Sequence, residues 1–186
     1  MNKYKILAVT LARGGSKSIK NKNLTLINGK PLIYYTIKEA LKSKMITRYI
    51  VSTDNKRIKK ISEKYGAEAP FLRPKKLSTD KARAVDADIH ALKWAEKNEE
   101  KKYDFFVELM ATNPLKTYKD IDRVLKKLIK SKADSVIGVV KVDDHHPIRI
   151  KKIVNGKIAN FTKNLTEIPE THRQQLKPKA YIRNGS

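Results

Sequence analysis

Lys5–Asn23 reads KILAVTLARGGSKSIKNKN, an apolar run that gives way at Ala12-Arg13 to a loop of glycines and cations. Lys5–Leu11 is nearly continuous in its apolar character, the pattern of a strand covered on both faces and therefore of a parallel sheet. Beyond it, Gly14 and Gly15 lack a Cβ, so the backbone can turn tightly and aim N–H groups at an anion, while Arg13, Lys17, Lys20 and Lys22 supply charge. This is the local chemistry of a polyphosphate cradle, with a nucleoside triphosphate as its natural guest. The spacing matches neither GxxxxGKS/T nor GxGxxG, so neither the P-loop nor the dinucleotide fingerprint is present. A basic surface turn following a strand is the other reading of the same residues.

Outward from this stretch, short apolar runs alternate with segments of helical period, which predicts an α/β sheet with helices on its faces. Further strands are predicted at Tyr49–Thr53, Ala67–Leu72, Phe105–Leu109 and Ser135–Val142. Leu32, Ile33, Ile37, Ala40 and Leu41 trace one helical stripe after Pro31. Ile58 and Ile61 mark a second helix between Asn55 and Gly66, Ile89, Leu92 and Ala95 a third, and Ile121, Val124, Leu125 and Leu128 a fourth behind the cap-like Thr117. After Val142 the pattern changes: Ile148–Val154, Asn155-Gly156 and Ile158–Phe161 read as a β-hairpin with a type I′ turn. Such a ribbon either packs on a partner subunit or folds onto its own domain, and the pattern alone leaves both open. The organisation expected is an α/β nucleotide-binding core over residues 1–142, a hairpin or dimerisation arm over 143–180, and a return toward the core over 181–186.

The 186 residues suit one domain with an appendage. The absence of cysteine excludes disulfides and thiolate metal sites. The N-terminal apolar run is too short for a signal-peptide core, and no segment approaches a membrane span, so a cytoplasmic location is expected. A formal charge of +23 raises nucleic acid as a partner. Its lysines are scattered, without aromatics interleaved among arginines to build a stacking platform, so a nucleic-acid-binding role ranks behind a nucleotide enzyme. His145-His146 is a poor zinc pair, because neighbours on an extended strand face opposite ways, and no GxSxG elbow supports a serine hydrolase.

In an open parallel sheet, ligands bind beyond the carboxyl ends of the strands. Ala12–Asn23, Ser52-Thr53-Asp54, Arg73-Pro74 with Asp80, and Met110–Leu115 each follow such an end. Asp54 reads first as a cap for the next helix and second as a ligand contact. Arg73, stiffened by Pro74, can fork onto a phosphate or a base edge.

The ordered series LARGGSKSIKNKN, GKPLI, VSTD, YGAE, RPKKLSTD, NPL, HHP, RQQLKPKAY and RNGS resembles the cytidylyltransferases that activate acylneuraminate (sialic-type) sugars as CMP conjugates. The resemblance runs through essentially the whole chain. It implies a Rossmann-like three-layer sandwich with helices on both faces of a mostly parallel sheet, plus an arm exchanged in a homodimer. It implies that Ala12, Gly14, Gly15, Ser16 and Lys17, with Arg13 and Lys22, hold the CTP triphosphate, that Asn23 meets the ribose, and that Arg73 and Asp80 belong to the nucleotide site. Arg149, after HHP, together with Arg173 and Asn184, falls to the sugar site. A planar guanidinium fork suits a carboxylate.

The reaction implied is attack by the anomeric hydroxyl of a nonulosonic acid on the α-phosphorus of CTP, with pyrophosphate leaving. Arg13 and Lys22 are the catalytic candidates, because pre-placed cations stabilise the charge that builds on phosphoryl oxygens. Mg2+ is implied with CTP, and no protein ligand for it is assigned. Three departures from the family pattern stand out. Met110 occupies the place of a sugar-contacting glutamine, and Ser18 and Lys20 replace a glycine and a proline. The family continues past NGS into a strand-helix unit with a metal-binding DxD, whereas no Asp or Glu follows Glu170 here. That last difference keeps a relative that binds cytidine nucleotide without turnover as the alternative function, and it leads to an expectation of a core strand left unpaired.

Overall fold

The computed structural model describes residues 3–15, 19–100, 102–142, 144–163 and 176–184. Contacts divide the described residues into two compact units, 3–136 and 137–184.

The first unit is an α/β layer structure. Strands β1 (Ile6–Leu11), β4 (Arg48–Ser52) and β5 (Phe105–Glu108) form a parallel sheet in the order β4-β1-β5. A short ribbon of β2 (Leu26–Ile27) and β3 (Lys30–Pro31) intervenes in sequence. In register, Leu7 lies opposite Arg48 and Leu11 opposite Ser52 on one side of β1, and Ile6 opposite Phe105 and Val9 opposite Glu108 on the other. The strand expected at Ala67–Leu72 is reduced to two parallel bridges on the outer side of β4, Ile50 with Glu68 and Thr53 with Leu72. Pro70, which cannot donate to a ladder, sits between them.

Helices α1 (Leu32–Lys42), α2 (Lys56–Lys64), α3 (Ala84–Glu99) and α4 (Tyr118–Ser131) complete the unit. Alternation along the strands sends Ile6, Ala8, Tyr49 and Val51 to one face, where they pack with Ile33 and Ile37 of α1, Ile58 of α2, and Ile121 and Leu125 of α4. Leu7, Val9 and Ile50 go to the other face, against Ala91 and Ala95 of α3. Of the stripe expected on α3, Ala95 is buried and Leu92 packs on this face, and Ile89 alone is corrected. Ala87, Ala91 and Ala95 are buried and Ile89 is exposed, because small side chains let the helix backbone approach a sheet already filled by branched residues. Asn55 caps α2, its side chain accepting from the Arg57 and Ile58 N–H groups, and Thr117 caps α4 in a reciprocal box with Asp120.

In the second unit β6 (Val139–Val142) pairs antiparallel with β9 (Ala180–Arg183), and β7 (Lys151–Val154) pairs with β8 (Lys157–Asn160). The hairpin turn is as expected, with Asn155 and Gly156 both at positive φ, 50° and 71°. The strand expected over Ser135–Val142 is shorter and finds an antiparallel partner, so it adds nothing to the parallel sheet.

Candidate functional site

The strands of the first unit are tied together by buried polar contacts. Tyr49 of β4 donates its hydroxyl to Thr10 Oγ1 at 2.8 Å, and Thr10 donates to Leu109 O at 2.8 Å. This relay links all three strands. Enclosure pushes the Tyr49 phenol above its usual range, so it stays a donor.

The loop after β1 is anchored at several points. The Ala12 N–H donates to Ser52 O at 2.9 Å, and Asn23, which is buried, donates from Nδ2 to Arg13 O at 3.1 Å. Arg13 Nη1 forms an ion pair with Asp80 Oδ1 at 2.9 Å. The Gly14 N–H donates to Asp54 Oδ1 at 2.8 Å. Asp54 therefore does not cap α2. Asn55 takes that role and the Asp54 carboxylate turns toward the glycine loop. A Cβ on Gly14 would lie 2.7 Å from Asn55 Nδ2, whereas one on Gly15 would meet nothing within 4 Å. Gly14 is thus required by close approach to the helix cap.

Arg73 lies beside this loop and is 4 % exposed. Its N–H donates to Thr53 O at 2.7 Å and its Nε to Ser78 Oγ at 3.0 Å. Burial pulls the guanidinium below its ordinary pKa, Asp54 and Asp88 partly offset that pull, and Arg13 adds to it. Enclosure pushes the Asp88 carboxyl up to about 7, with Glu108 pushing the same way and Arg73 opposing. Burial, then Arg73, lowers His90. Asp88 Oδ1, His90 Nδ1 and Ser52 Oγ are buried atoms without a hydrogen-bond partner among the described residues.

Between the tips of β1 and β5 lies a cleft of about 110 Å³ lined by Leu11, Arg13, Lys22, Asn23, Glu108, Met110, Ala111 and Thr112. It brings together Arg13, Lys22 and Asn23, three residues singled out from the sequence, and Asp80 joins them through Arg13. Ser16 and Lys17 lie outside the described residues, as does Arg173. Arg149 and Asn184 belong to the second unit. Arg149 ends a 3-10 turn whose N-cap is His146, and the Asn184 N–H donates to Gly138 O at 3.2 Å. His146 is buried and carries its proton on Nε2, facing Pro178 O at 2.8 Å, while Nδ1 accepts from the Ile148 N–H at 3.3 Å. A histidine committed on both nitrogens shapes this loop instead of ligating a metal.

Sequence reasoning passed over Asp88, Glu108 and Lys116. Asp88 follows Ala87 on the buried side of α3, Glu108 ends an otherwise apolar strand, and Lys116 follows the loop Met110–Leu115. For Asp88 and Glu108 a charge beside apolar positions of a regular element was the available signal, and for Lys116, in a loop, there was none.

A family model described as cytidylyltransferase matches residues 7–155. Among curated relatives, a post-translational flagellin modification protein B of Campylobacter coli is 32 % identical over 97 % of this chain and 75 % of its own length. A pseudaminic acid cytidylyltransferase of Campylobacter jejuni is 34 % identical over 78 % of this chain, and the matched stretch spans 61 % of that relative. Among solved structures, CMP:2-keto-3-deoxy-manno-octonic acid synthetase complexed with CTP superposes with a TM-score of 0.63 at 21 % identity, over 97 % of this chain and 72 % of that one. The last likeness establishes the Rossmann-like fold alone. The family match covers the glycine loop, every strand tip that lines the cleft and the hairpin's first strand, and on that extent the chain belongs to the cytidylyltransferase family.

Proposed function

We propose that this chain transfers a cytidylyl group from CTP to the anomeric hydroxyl of a nonulosonic acid. The hydroxyl oxygen bonds to the α-phosphorus, the bond from that phosphorus to the pyrophosphate breaks, and the hydroxyl proton passes to solvent or a base. The observation that carries the reading is the cleft in which Arg13, Lys22 and Asn23 converge beyond a parallel sheet, where ligands of such sheets bind. Arg13 and Lys22 stabilise charge as it builds on the phosphoryl oxygens and the leaving group. The loop residues Ala12, Gly14, Gly15, Ser16 and Lys17 cradle the triphosphate, and Asn23 holds the ribose. Arg73 and Asp80 complete the nucleotide site. Arg149, Arg173 and Asn184 are assigned to the sugar acid. The acid class is supported by the relatives, whose names specify pseudaminic, legionaminic and acylneuraminic substrates.

Mg2+ would arrive with CTP. Among the described residues no group of three or more His, Cys, Asp or Glu forms a metal cage. A hard cation that keeps its waters needs only one or two carboxylates beside the phosphates, and Asp54 and Glu108, at the tips of β4 and β5, are of the right chemistry. When bound, such an ion neutralises phosphate oxygens and lowers the pKa of the attacking hydroxyl. The exposed Ile153, Ile158 and Phe161 of the hairpin region suit contact with a second copy of the chain, and we include a homodimer in the proposal. No helix among the described residues is long and apolar enough to cross a membrane.

Pyrophosphate release measured with CTP, Mg2+ and a panel of N-acetylneuraminate, legionaminate and pseudaminate tests the reading. Turnover with one of these acids is expected. Tight CTP binding without turnover on any acid would reduce the protein to a nucleotide binder, and salt-sensitive oligonucleotide binding with indifference to CTP would overturn the reading.

A further inference from the structure

Lys116 takes no part in the chemistry above, yet it is 8 % exposed and uses all three donors of its ammonium group. Nζ donates to Thr36 Oγ1 at 2.9 Å, to Met110 O at 2.6 Å and to Asn113 O at 2.7 Å. Thr36, fully buried on α1, also reaches Met110 O at 3.4 Å. Two of the acceptors are main-chain carbonyls of the segment Met110–Leu115, and Met110, Ala111 and Thr112 of that segment form one wall of the cleft.

We infer that Lys116 is a positioning residue that sets this wall, gripping the backbone of Met110 and Asn113 against α1 from the buried side. The segment needs such an anchor. It leaves β5, turns through an Asn113 N–H to Met110 O bond of 3.2 Å, and then passes through Pro114, which has no N–H to offer. A short loop with so few main-chain bonds of its own takes its shape from whatever satisfies its carbonyls. An ammonium with three matched acceptors holds more strongly than neutral donors would, and it fixes two carbonyls relative to a helix at once. The same lysine is held down to about 8 by desolvation, so the charge is kept at a cost that a purely space-filling role would not require.

The inference rests on the reading that CTP occupies the cleft, and the experiment separates the two. Lys116→Met keeps the length of the chain and removes the donors. Amide hydrogen exchange over residues 110–115, measured without ligand, is expected to quicken at least tenfold. CTP affinity, measured by calorimetry well below the melting temperature, is expected to fall about tenfold. Leu125→Ala, which opens the core on α4 and lowers the melting temperature while leaving Lys116 and its three acceptors in place, serves as control and should change neither the loop's exchange nor the affinity by more than twofold.

If Lys116→Met does not fold, Thr36→Val removes one acceptor and leaves the lysine in place, and the loop's exchange must then rise at least threefold. Loop exchange matching the Leu125→Ala control, or unchanged in Thr36→Val, overturns the inference. Failure of the wild-type protein to bind CTP would overturn the function proposed above while leaving the exchange result to decide the role of Lys116.

Discussion

Arg13 and Lys22 differ in how firmly the protein holds them. Arg13 is paired with Asp80, whereas Lys22 borders the cleft in a short 3-10 turn. Charge-assisted contacts to phosphate are worth about 1.5–3 kcal/mol each, so Arg13→Ala and Lys22→Ala should each weaken CTP binding by roughly 10- to 100-fold in calorimetry. Unchanged affinity in both would remove the triphosphate from this loop.

Asp88 gives a test in pH. Its folded carboxyl is raised to about 7 from an ordinary value near 3.8, so the native state holds a proton that the unfolded chain has already lost. The stability this contributes is complete below about pH 4 and is lost as pH rises through 7. Asp88→Asn should therefore flatten the decline in unfolding free energy between pH 5 and pH 8, by on the order of 1 kcal/mol once partial exposure is allowed for. Parallel curves for variant and wild type would contradict the assignment. At this scale the sequence singled out Arg13, Lys22 and Asn23, which the structure gathers in one cleft, although a basic surface turn was an equal reading of the loop alone. It misread Asp54, since a carboxylate next to an asparagine leaves two candidates for one cap. It was silent on Lys116, whose role depends on carbonyls contributed by a loop whose path no local pattern sets.

Among the elements, α4 is the most completely specified by its own residues. Thr117 and Asp120 cap it reciprocally, and Ile121 and Leu125 bury its inner face. Thr117→Ala should cost about 1 kcal/mol in chemical denaturation, with no change in CTP affinity. A loss below a few tenths would mean that sheet contact alone holds the helix start. Helix α3 shows where periodicity falls short. Its sequence carries both an aliphatic stripe and an alanine stripe, and close approach to the sheet chose the alanines. The segment Ala67–Leu72 has the composition of a strand, but Pro70 limits it to two bridges. The hairpin's turn was legible to the residue, because Asn-Gly admits positive φ at both positions, but its first strand begins at Lys151, behind the 3-10 turn Pro147–Arg149, and not at Ile148.

For the whole molecule, the alternation of apolar runs with helical periods sufficed for an α/β layer structure, since few other arrangements bury both. It could not indicate that Val139–Val142 pairs with Ala180–Arg183, because nothing in a strand's own pattern names a partner far along the chain. The exposed hairpin isoleucines carry the prediction at this scale. Ile153→Lys with Ile158→Lys should shift sedimentation from dimer to monomer while leaving the melting of the α/β unit in place. A monomeric wild-type protein, or a dimer indifferent to both changes, would move the contact elsewhere.

A side-chain carboxylate already seated on the Gly14 amide means that the glycine turn is shaped before any nucleotide arrives. Under the function proposed above, an incoming phosphate oxygen would displace a resident carboxylate oxygen instead of condensing a slack turn around itself, so little ordering would be left to do. A displaced carboxylate beside a polyanion is electrostatically unfavourable, and that repulsion would be relieved when the polyanion carries its own counter-ion. The turn should consequently select cation-loaded nucleotide over the bare tetra-anion, a preference that calorimetry with and without a chelator would display.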